Sequence, residues 1–421
     1  MINYFTYDYP LPKTLDPPFK VITEIAPTPW NKHTHLLHIG IKGFKIPKLP
    51  PANLVFLVDV SGSMASHNKL GLLKTALELL SKQLTEKDKV SLVVYAGASG
   101  VVLEPTPGNQ TGKIKSALSR LKAGGSTNGG SGIQLAYTVA QQGFIKNGIN
   151  RILLATDGDF NVGTVDFNAL KNLVAERRKT GISLTTLGFG TGNYNDHLME
   201  QLADAGNGNY AYIDTLKEAQ KVLVDEMAST INTIAKDVKI QIEFNHATVA
   251  EYRLIGYENR KLKREDFNND KVDAGEIGAG HTVTALYEIA LTGSSGKRLE
   301  ALRYSSPEQL PEKLYSNELV FLRLRYKAPD GDTSKLIERS VSQISTRSSD
   351  RFRFSAAVAA FGQQLRGGKY LEKFSYDDIL NLAQNSRGKD SFGYRSEFIQ
   401  LVRLVKSLDE KPQLILILLK N

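Results

Sequence analysis

The sequence predicts an α/β protein: a doubly wound, mostly parallel sheet, joined to a flanking antiparallel β domain and C-terminal helices. Three observations carry this. Between residues 51 and 235, short wholly apolar runs alternate with segments of helical periodicity, the pattern of parallel strands covered on both faces. From residue 236 the period changes to two, as in Asp237–Phe244, where Val238, Ile240, Ile242 and Phe244 share a face. From residue 351 onward, three segments return to helical spacing. A chain of 421 residues suggests two to four domains at about 100–200 residues each. The predicted units are 1–50, a β segment packing with the flanking β domain; 51–235, the α/β domain; 236–345, the β-rich flank; and 346–421, a helical region.

The elements follow in order. Nine of the 15 prolines precede residue 52, which forbids a long helix there and favours extended chain. Residues 34–41 read as a single strand, and Lys48-Leu49-Pro50-Pro51 as a stiff linker. Asn53–Val60 is a buried strand. Lys69–Leu84 is a helix, with Leu70, Leu73, Leu77, Leu80 and Leu84 at helical spacing. Lys89–Tyr95 and the short Gly100–Leu103 are strands. Ile114–Leu121 and Ile133–Phe144 are amphipathic helices, and Arg151–Thr156 is a buried strand. Phe167–Arg178 is a helix with Asp166 near its start and Arg177, Arg178 and Lys179 near its end, as the helix dipole favours. Then come a strand at Ile182–Phe189, a short helix at His197–Ala203, a strand at Asn209–Ile213 and a long final helix, Leu216–Ile234. Val249–Tyr257, Thr282–Leu291 and Leu319–Tyr326 resemble Asp237–Phe244. Arg351–Leu365, Tyr376–Asn385 and Tyr394–Leu408 are helices. Gln413–Leu419 is too short to span a bilayer and reads as a terminal edge strand or buried tail.

Composition narrows the chemistry. There is no cysteine, which excludes disulfides, thiolate zinc sites, iron–sulfur clusters and a Cys nucleophile. The net charge is +9, spread as +3 over residues 1–49, +1 over 50–230 and +5 over 231–421. The densest basic stretch, Arg260–Arg264, runs directly into Glu265 and Asp266. Charge spread this way describes a solvated surface rather than a nucleic-acid face. No apolar run of about 18 residues is present, so no transmembrane helix is expected. The first ten residues lack the basic and apolar regions of a signal peptide.

In an open parallel sheet, functional side chains gather at the carboxyl ends of strands. After the first buried strand comes Asp59-Val60-Ser61-Gly62-Ser63. After Arg151–Ala155 comes Thr156-Asp157-Gly158-Asp159. Between them lies the glycine-rich Gly124–Gly130. Three loops thus offer the hard oxygens of Asp59, Ser61, Ser63, Thr127 and Asp157, a set suited to one octahedral Mg2+ or Mn2+. In Asp-x-Ser-x-Ser, alternate residues can face one point while Gly62 lets the chain bend around it. Neutral hydroxyls fill the coordination without cancelling the charge, so the cation keeps positive character and an open position. Each motif alone is an ordinary turn or helix cap; their order on one sheet is what points to a metal.

Asn53–Met64 (NLVFLVDVSGSM), Gly124–Gly132 (GGSTNGGSG) and Leu153–Asp159 (LLATDGD) resemble the three metal-site loops of von Willebrand factor type A domains. The resemblance implies a Rossmann-like sheet with one short antiparallel edge strand, which Gly100–Leu103 fits. It implies metal ligation by Asp59, Ser61, Ser63, Thr127 and Asp157, with Mg2+ (or Mn2+ or Ca2+) as the cation. Proteins of this family bind protein ligands, often through a ligand carboxylate on the metal, and are generally not enzymes. Met1–Pro10, Tyr95–Ala98, Leu324–Asp330, Phe352–Gln363 and Phe392–Glu397 are similar to a bacterial subfamily in which the type A domain precedes a C-terminal domain of unknown function. Its members commonly begin with an export or lipoprotein signal, which implies a cell-envelope location.

Other signals are weaker. His33, His35 and His38 read as a surface strand rather than a metal site. Gly188–Gly192 lacks the third glycine of a dinucleotide fingerprint and reads as a loop rimming the metal, and Gly108–Lys113 lacks phosphate-loop spacing. No Gly-x-Ser-x-Gly elbow is present. Trp30 and the scattered tyrosines read as packing. The expected function is therefore non-enzymatic: a divalent-metal-dependent adhesion or assembly module whose protein partner supplies Asp or Glu. The alternatives are a structural scaffold with a merely stabilising metal and, less consistent with two carboxylates, a metal-dependent hydrolase.

Overall fold

The computed structural model describes residues 1–126, 128–158, 166–190, 196–256, 267, 275–300 and 317–418, with side chains described to residue 409. The chain opens with a tight turn at Ile2–Tyr4, followed by β1 (Phe19–Thr28) and β2 (Asn31–Gly43). The α/β unit comprises β3 (Ala52–Asp59), α1 (Leu72–Ser81), β4 (Lys89–Tyr95), β5 (Ser99–Pro107), α2 (Thr111–Ser119), α3 (Gly129–Gln142), β6 (Ile149–Thr156), α4 (Phe167–Arg177), β7 (Ser183–Phe189), α5 (Asp196–Ala205), β8 (Tyr210–Ile213), α6 (Leu216–Gln220) and α7 (Met227–Ile231). After it come β9 (Thr233–Phe244), β10 (Val249–Ile255), β11 (Gly275–Gly278), β12 (Thr282–Leu291), β13 (Val320–Lys327), β14 (Ser334–Val341), α8 (Asp350–Gln364), α9 (Tyr376–Asn385) and α10 (Tyr394–Leu418).

The central sheet has the order β5-β4-β3-β6-β7-β8. All of its pairings are parallel except β4 with β5. Both faces are covered, which is why its strands are apolar throughout. Leu54, Phe56 and Val58 point into one core with α1, and Val55 and Leu57 into the other with α3. Strand β5 carries Pro105 and Pro107, which an edge strand tolerates. The strand order turns back at β3, so the loops after β3 and β6 face the same crevice.

Two four-stranded antiparallel sheets, β1-β2-β12-β10 and β11-β9-β13-β14, stack into a sandwich. The first is covered on both faces. Leu37, Ile39 and Ile41 meet the second sheet, while Leu36 and Ala26 meet a helical cluster built from α8, α9, α10 and the aromatic N-terminal segment. In that cluster Phe5 contacts Phe354 and Phe398 edge-on, with centroids 5.4 and 5.6 Å away.

The structure departs from the sequence reading at five places. The proline-rich start holds a hairpin rather than one strand; Pro27 hid β1, and it sits beside a register shift. The predicted strand at 34–41 is the middle of β2. Strand β14, whose side chains are mostly exposed, has too little apolar alternation to be seen. The final α/β helix is not continuous: a π-turn at Lys221–Asp225 and a non-helical Glu226 (φ −109°, ψ 16°) separate α6 from α7. The extra residue in that turn lets Val222 and Leu223 stay in the core while Lys221 and Asp225 turn outward to other domains. His38 is not on a surface; it is fully buried, hydrogen-bonded to the Tyr9 hydroxyl at 2.7 Å. Residues 413–418 continue α10 as helix instead of forming a strand.

Candidate functional site

The site is built at the end of β3. Asp59 is the strand's last residue and is fully buried. Its Oδ1 accepts the Ser61 amide at 2.8 Å, which turns the chain back on itself. Its Oδ2 accepts the hydroxyls of Tyr95, at 3.2 Å, and Thr156, at 3.0 Å. Those residues end the two neighbouring strands, β4 and β6, so three strands converge on one carboxylate. Burial raises the Asp59 pKa, opposed by the hydrogen bonds from Ser61 and Thr156; the Asp157 charge raises it further. Burial also pushes the Tyr95 phenol well up, with Asp59 adding to the effect.

The Ser61 and Ser63 hydroxyls lie 3.1 Å apart. The loop that carries them is pinned to the glycine-rich loop by backbone bonds, Gly62 N–H to Gly125 O at 3.0 Å and Gly124 N–H to Val60 O at 2.8 Å. Asp157, also buried, begins the loop after β6. Asp59, Ser61, Ser63 and Asp157 are thus brought into one crevice. Thr127 and Asp159 lie outside the described residues, as do residues 191–192 of the predicted rim.

Three contributors escape the sequence reading. Tyr95 and Thr156 end strands beside β3 and could have been found by extending the strand-end rule to every neighbour. Lys69 gives no such signal. A π-turn at His67–Gly71 precedes α1 and aims its side chain back over the site. Its Nζ lies 2.8 Å from Asp157 Oδ2 and 3.1 Å from the Ser63 carbonyl oxygen. The stem crosses Gly190 so closely that a Cβ there would fall 2.6 Å from Lys69 Cε.

Among the described residues, no three His, Cys, Asp or Glu side chains gather as a metal cage. The donors are two carboxylates and a set of hydroxyls, with one ammonium beside them. Such a crevice can present hard oxygens to a small cation, or hold its charge balance through Lys69 alone.

Residues 53–226 match the von Willebrand factor type A domain family, residues 229–408 the family described as "Uncharacterized protein YfbK, C-terminal", and residues 1–38 a further von Willebrand factor family. The chain is 47% identical over 421 residues to "Uncharacterized protein YfbK" of Escherichia coli (strain K12), covering 98% of this chain and 73% of that protein. It is 31% identical over 169 residues to "Uncharacterized protein sll0103" of Synechocystis sp., covering 40% of this chain and 39% of that protein. A solved structure, "von Willebrand factor type A from Catenulispora acidiphila", aligns with a TM-score of 0.45 at 14% identity, over 91% of this chain and 88% of that one.

Proposed function

The chain belongs to the YfbK family of von Willebrand factor type A domain proteins, and from that premise we propose that it is a protein-binding module whose ligand site depends on a divalent cation. Type A domains are commonly protein-interaction modules. The observation that carries the finer reading is Asp59. Its carboxylate is buried and hydrogen-bonded by one amide and two hydroxyls, yet no Lys, Arg or His lies within 4 Å among the described residues. A buried carboxylate without a counter-charge is costly, and a bound cation removes that cost.

The donor chemistry fits the cation. Asp59, Ser61, Ser63, Thr127 and Asp157 would hold Mg2+, Mn2+ or Ca2+ through oxygen alone. When bound, the cation would offer a coordination position to an Asp or Glu of a protein partner. Asp59 orients the Ser61 amide, Tyr95 and Thr156 fix the Asp59 carboxylate, and Lys69 offsets part of the Asp157 charge. In this reading the site works by binding a partner, with Ser61 and Ser63 serving as hydroxyl ligands of the cation.

Asp59→Ala combined with Ser61→Ala should abolish Mn2+ binding by calorimetry, and with it Mg2+-dependent capture of a partner from a native envelope extract. The circular dichroism spectrum should be retained. Capture that persists unchanged in EDTA would sink the metal bridge. Lys69 favours a second reading, a scaffold in which the ammonium alone balances Asp157. In that case Mg2+ shifts the melting temperature little and partner capture ignores it.

A further inference from the structure

A cavity of about 350 Å3 lies where the N-terminal segment, the π-turn of the last α/β helix, the first β sheet and the C-terminal helices meet. It is separate from the crevice of Asp59 and Asp157. Its wall carries five Lys or Arg and four Asp or Glu side chains, and the carboxylates are already engaged. Asp8 pairs with Arg395 at 3.0 Å and Glu226 with Lys221 at 3.1 Å. Asp225 accepts the Tyr394 hydroxyl at 2.8 Å. Asp390 accepts two backbone amides and the Ser396 hydroxyl, at 2.7–3.1 Å.

Three ammoniums are left over. Lys42 donates to the Gly280 carbonyl at 2.7 Å, and among the described residues no carboxylate lies within 4 Å of Lys42, Lys45 or Lys389. Burial holds the Lys42 pKa down and the neighbouring Lys45 charge adds to this, while the Glu226 and Asp8 charges oppose it, so a half-buried ammonium sits near a second, exposed one. That arrangement is relieved by an anion. Phe392 lies exposed at the rim, with its ring 5.9 Å from that of Tyr394. A second observation marks the same place: the π-turn Lys221–Asp225 lines the cavity, and such helix irregularities concentrate at functional sites.

We propose that this cavity binds a small molecule bearing a multivalent oxyanion, held by Lys42, Lys45 and Lys389, with a flat unsaturated part against Phe392. A phosphate ester and a polycarboxylate share that chemistry. The space suits a ligand at the small end of ordinary pockets, which run from about 300 Å3 upward.

The test is calorimetry on the whole chain in EDTA, with pyrophosphate, AMP and citrate as separate probes. Saturable one-to-one binding of at least one probe is expected. The exposed pair Lys45→Glu and Lys389→Glu should weaken it about tenfold or more. Phe392→Ala should weaken AMP severalfold and leave pyrophosphate unchanged. A preference for pyrophosphate and AMP over citrate identifies the phosphate class, and the reverse the polycarboxylate class. The proposal is overturned if no probe binds in the millimolar range, or if the charge-reversed protein, with an unchanged melting temperature, binds as well as the wild type.

Discussion

Lys69 is one residue whose removal should change the site's behaviour while every proposed ligand is kept, because its ammonium pairs with Asp157. Its ammonium and the Asp157 carboxylate are mostly buried, with side chains 19% and 1% exposed. Lys69→Met should therefore destabilise the cation-free protein by about 1–3 kcal/mol, because Asp157 loses its partner. The same change should strengthen Mn2+ binding about tenfold, since a cation no longer shares Asp157 with a fixed ammonium. Calorimetry and melting with and without Mn2+ read both effects, and a variant that binds Mn2+ no better shows that Lys69 does not oppose the metal. His38 makes a second residue-scale prediction. Burial, aided by the Arg351 charge, pushes its pKa down to about 3 from an ordinary 6.5. Between those values the unfolded chain holds a proton that the folded chain refuses, so stability falls as pH drops through that window. The slope contributed is about 1.4 kcal/mol per pH unit. Urea unfolding between pH 7 and 5 should show it in the wild type and lack it in His38→Gln. The strand-end rule brought Asp59, Ser61, Ser63 and Asp157 into view because loop order alone specifies them. Lys69 and His38 stayed hidden, because their roles depend on a π-turn and on a helical layer packed over β2.

The last α/β helix shows how an element can be legible in composition and not in form. Its apolar residues Val222 and Leu223 announce a helix, yet three contacts from distant chain segments reshape it. Tyr4 donates to Glu218 at 2.7 Å, Tyr394 donates to Asp225 at 2.8 Å, and Lys221 lies over the Tyr4 ring at 4.4 Å. No local pattern encodes partners more than 160 residues away. Tyr394→Phe should accordingly speed amide hydrogen exchange across residues 216–231 while leaving the amides of β3 and β6 protected. Equal exchange in both proteins would show that the π-turn is fixed from within. The opposite case is α9. Its Ser375–Asp378 capping box is a purely local device, with each side chain bonded to the other's backbone amide, and the predicted 376–385 span agrees with the element observed.

At the scale of the molecule, the α/β unit and the sandwich are joined by close backbone contact as well as by side chains. A Cβ on Gly278 would lie 1.9 Å from the Ser229 carbonyl oxygen, so β11 and the end of the last helix meet only because that position has no side chain. Gly278→Ala should cost about 1–3 kcal/mol through enforced separation, seen as a lower melting temperature and faster proteolysis near residue 230. A stability equal to wild type would mean that the junction is looser than it stands. The alternation of buried runs and helical spacing was enough to read the class of each unit. The position of residues 1–50 and 236–345 on either side of the α/β unit also predicts that they pack together; what the pattern could not convey was which strands pair, because β2 with β12 is a contact between separate strings of ordinary apolar residues.

That shared sheet sets an order of events during synthesis. Strand β2 ends at Gly43 and its neighbour β12 begins at Thr282, so some 240 residues leave the ribosome between one half of the ladder and the other. At roughly 5–20 residues per second, the first hairpin waits about ten to fifty seconds for its partner strand. The inserted α/β unit, whose six strands pair only with one another, can fold within that interval and bring its two ends together. During the wait β2 displays an unpaired, strongly apolar edge, the kind of surface on which nascent chains of neighbouring ribosomes can meet.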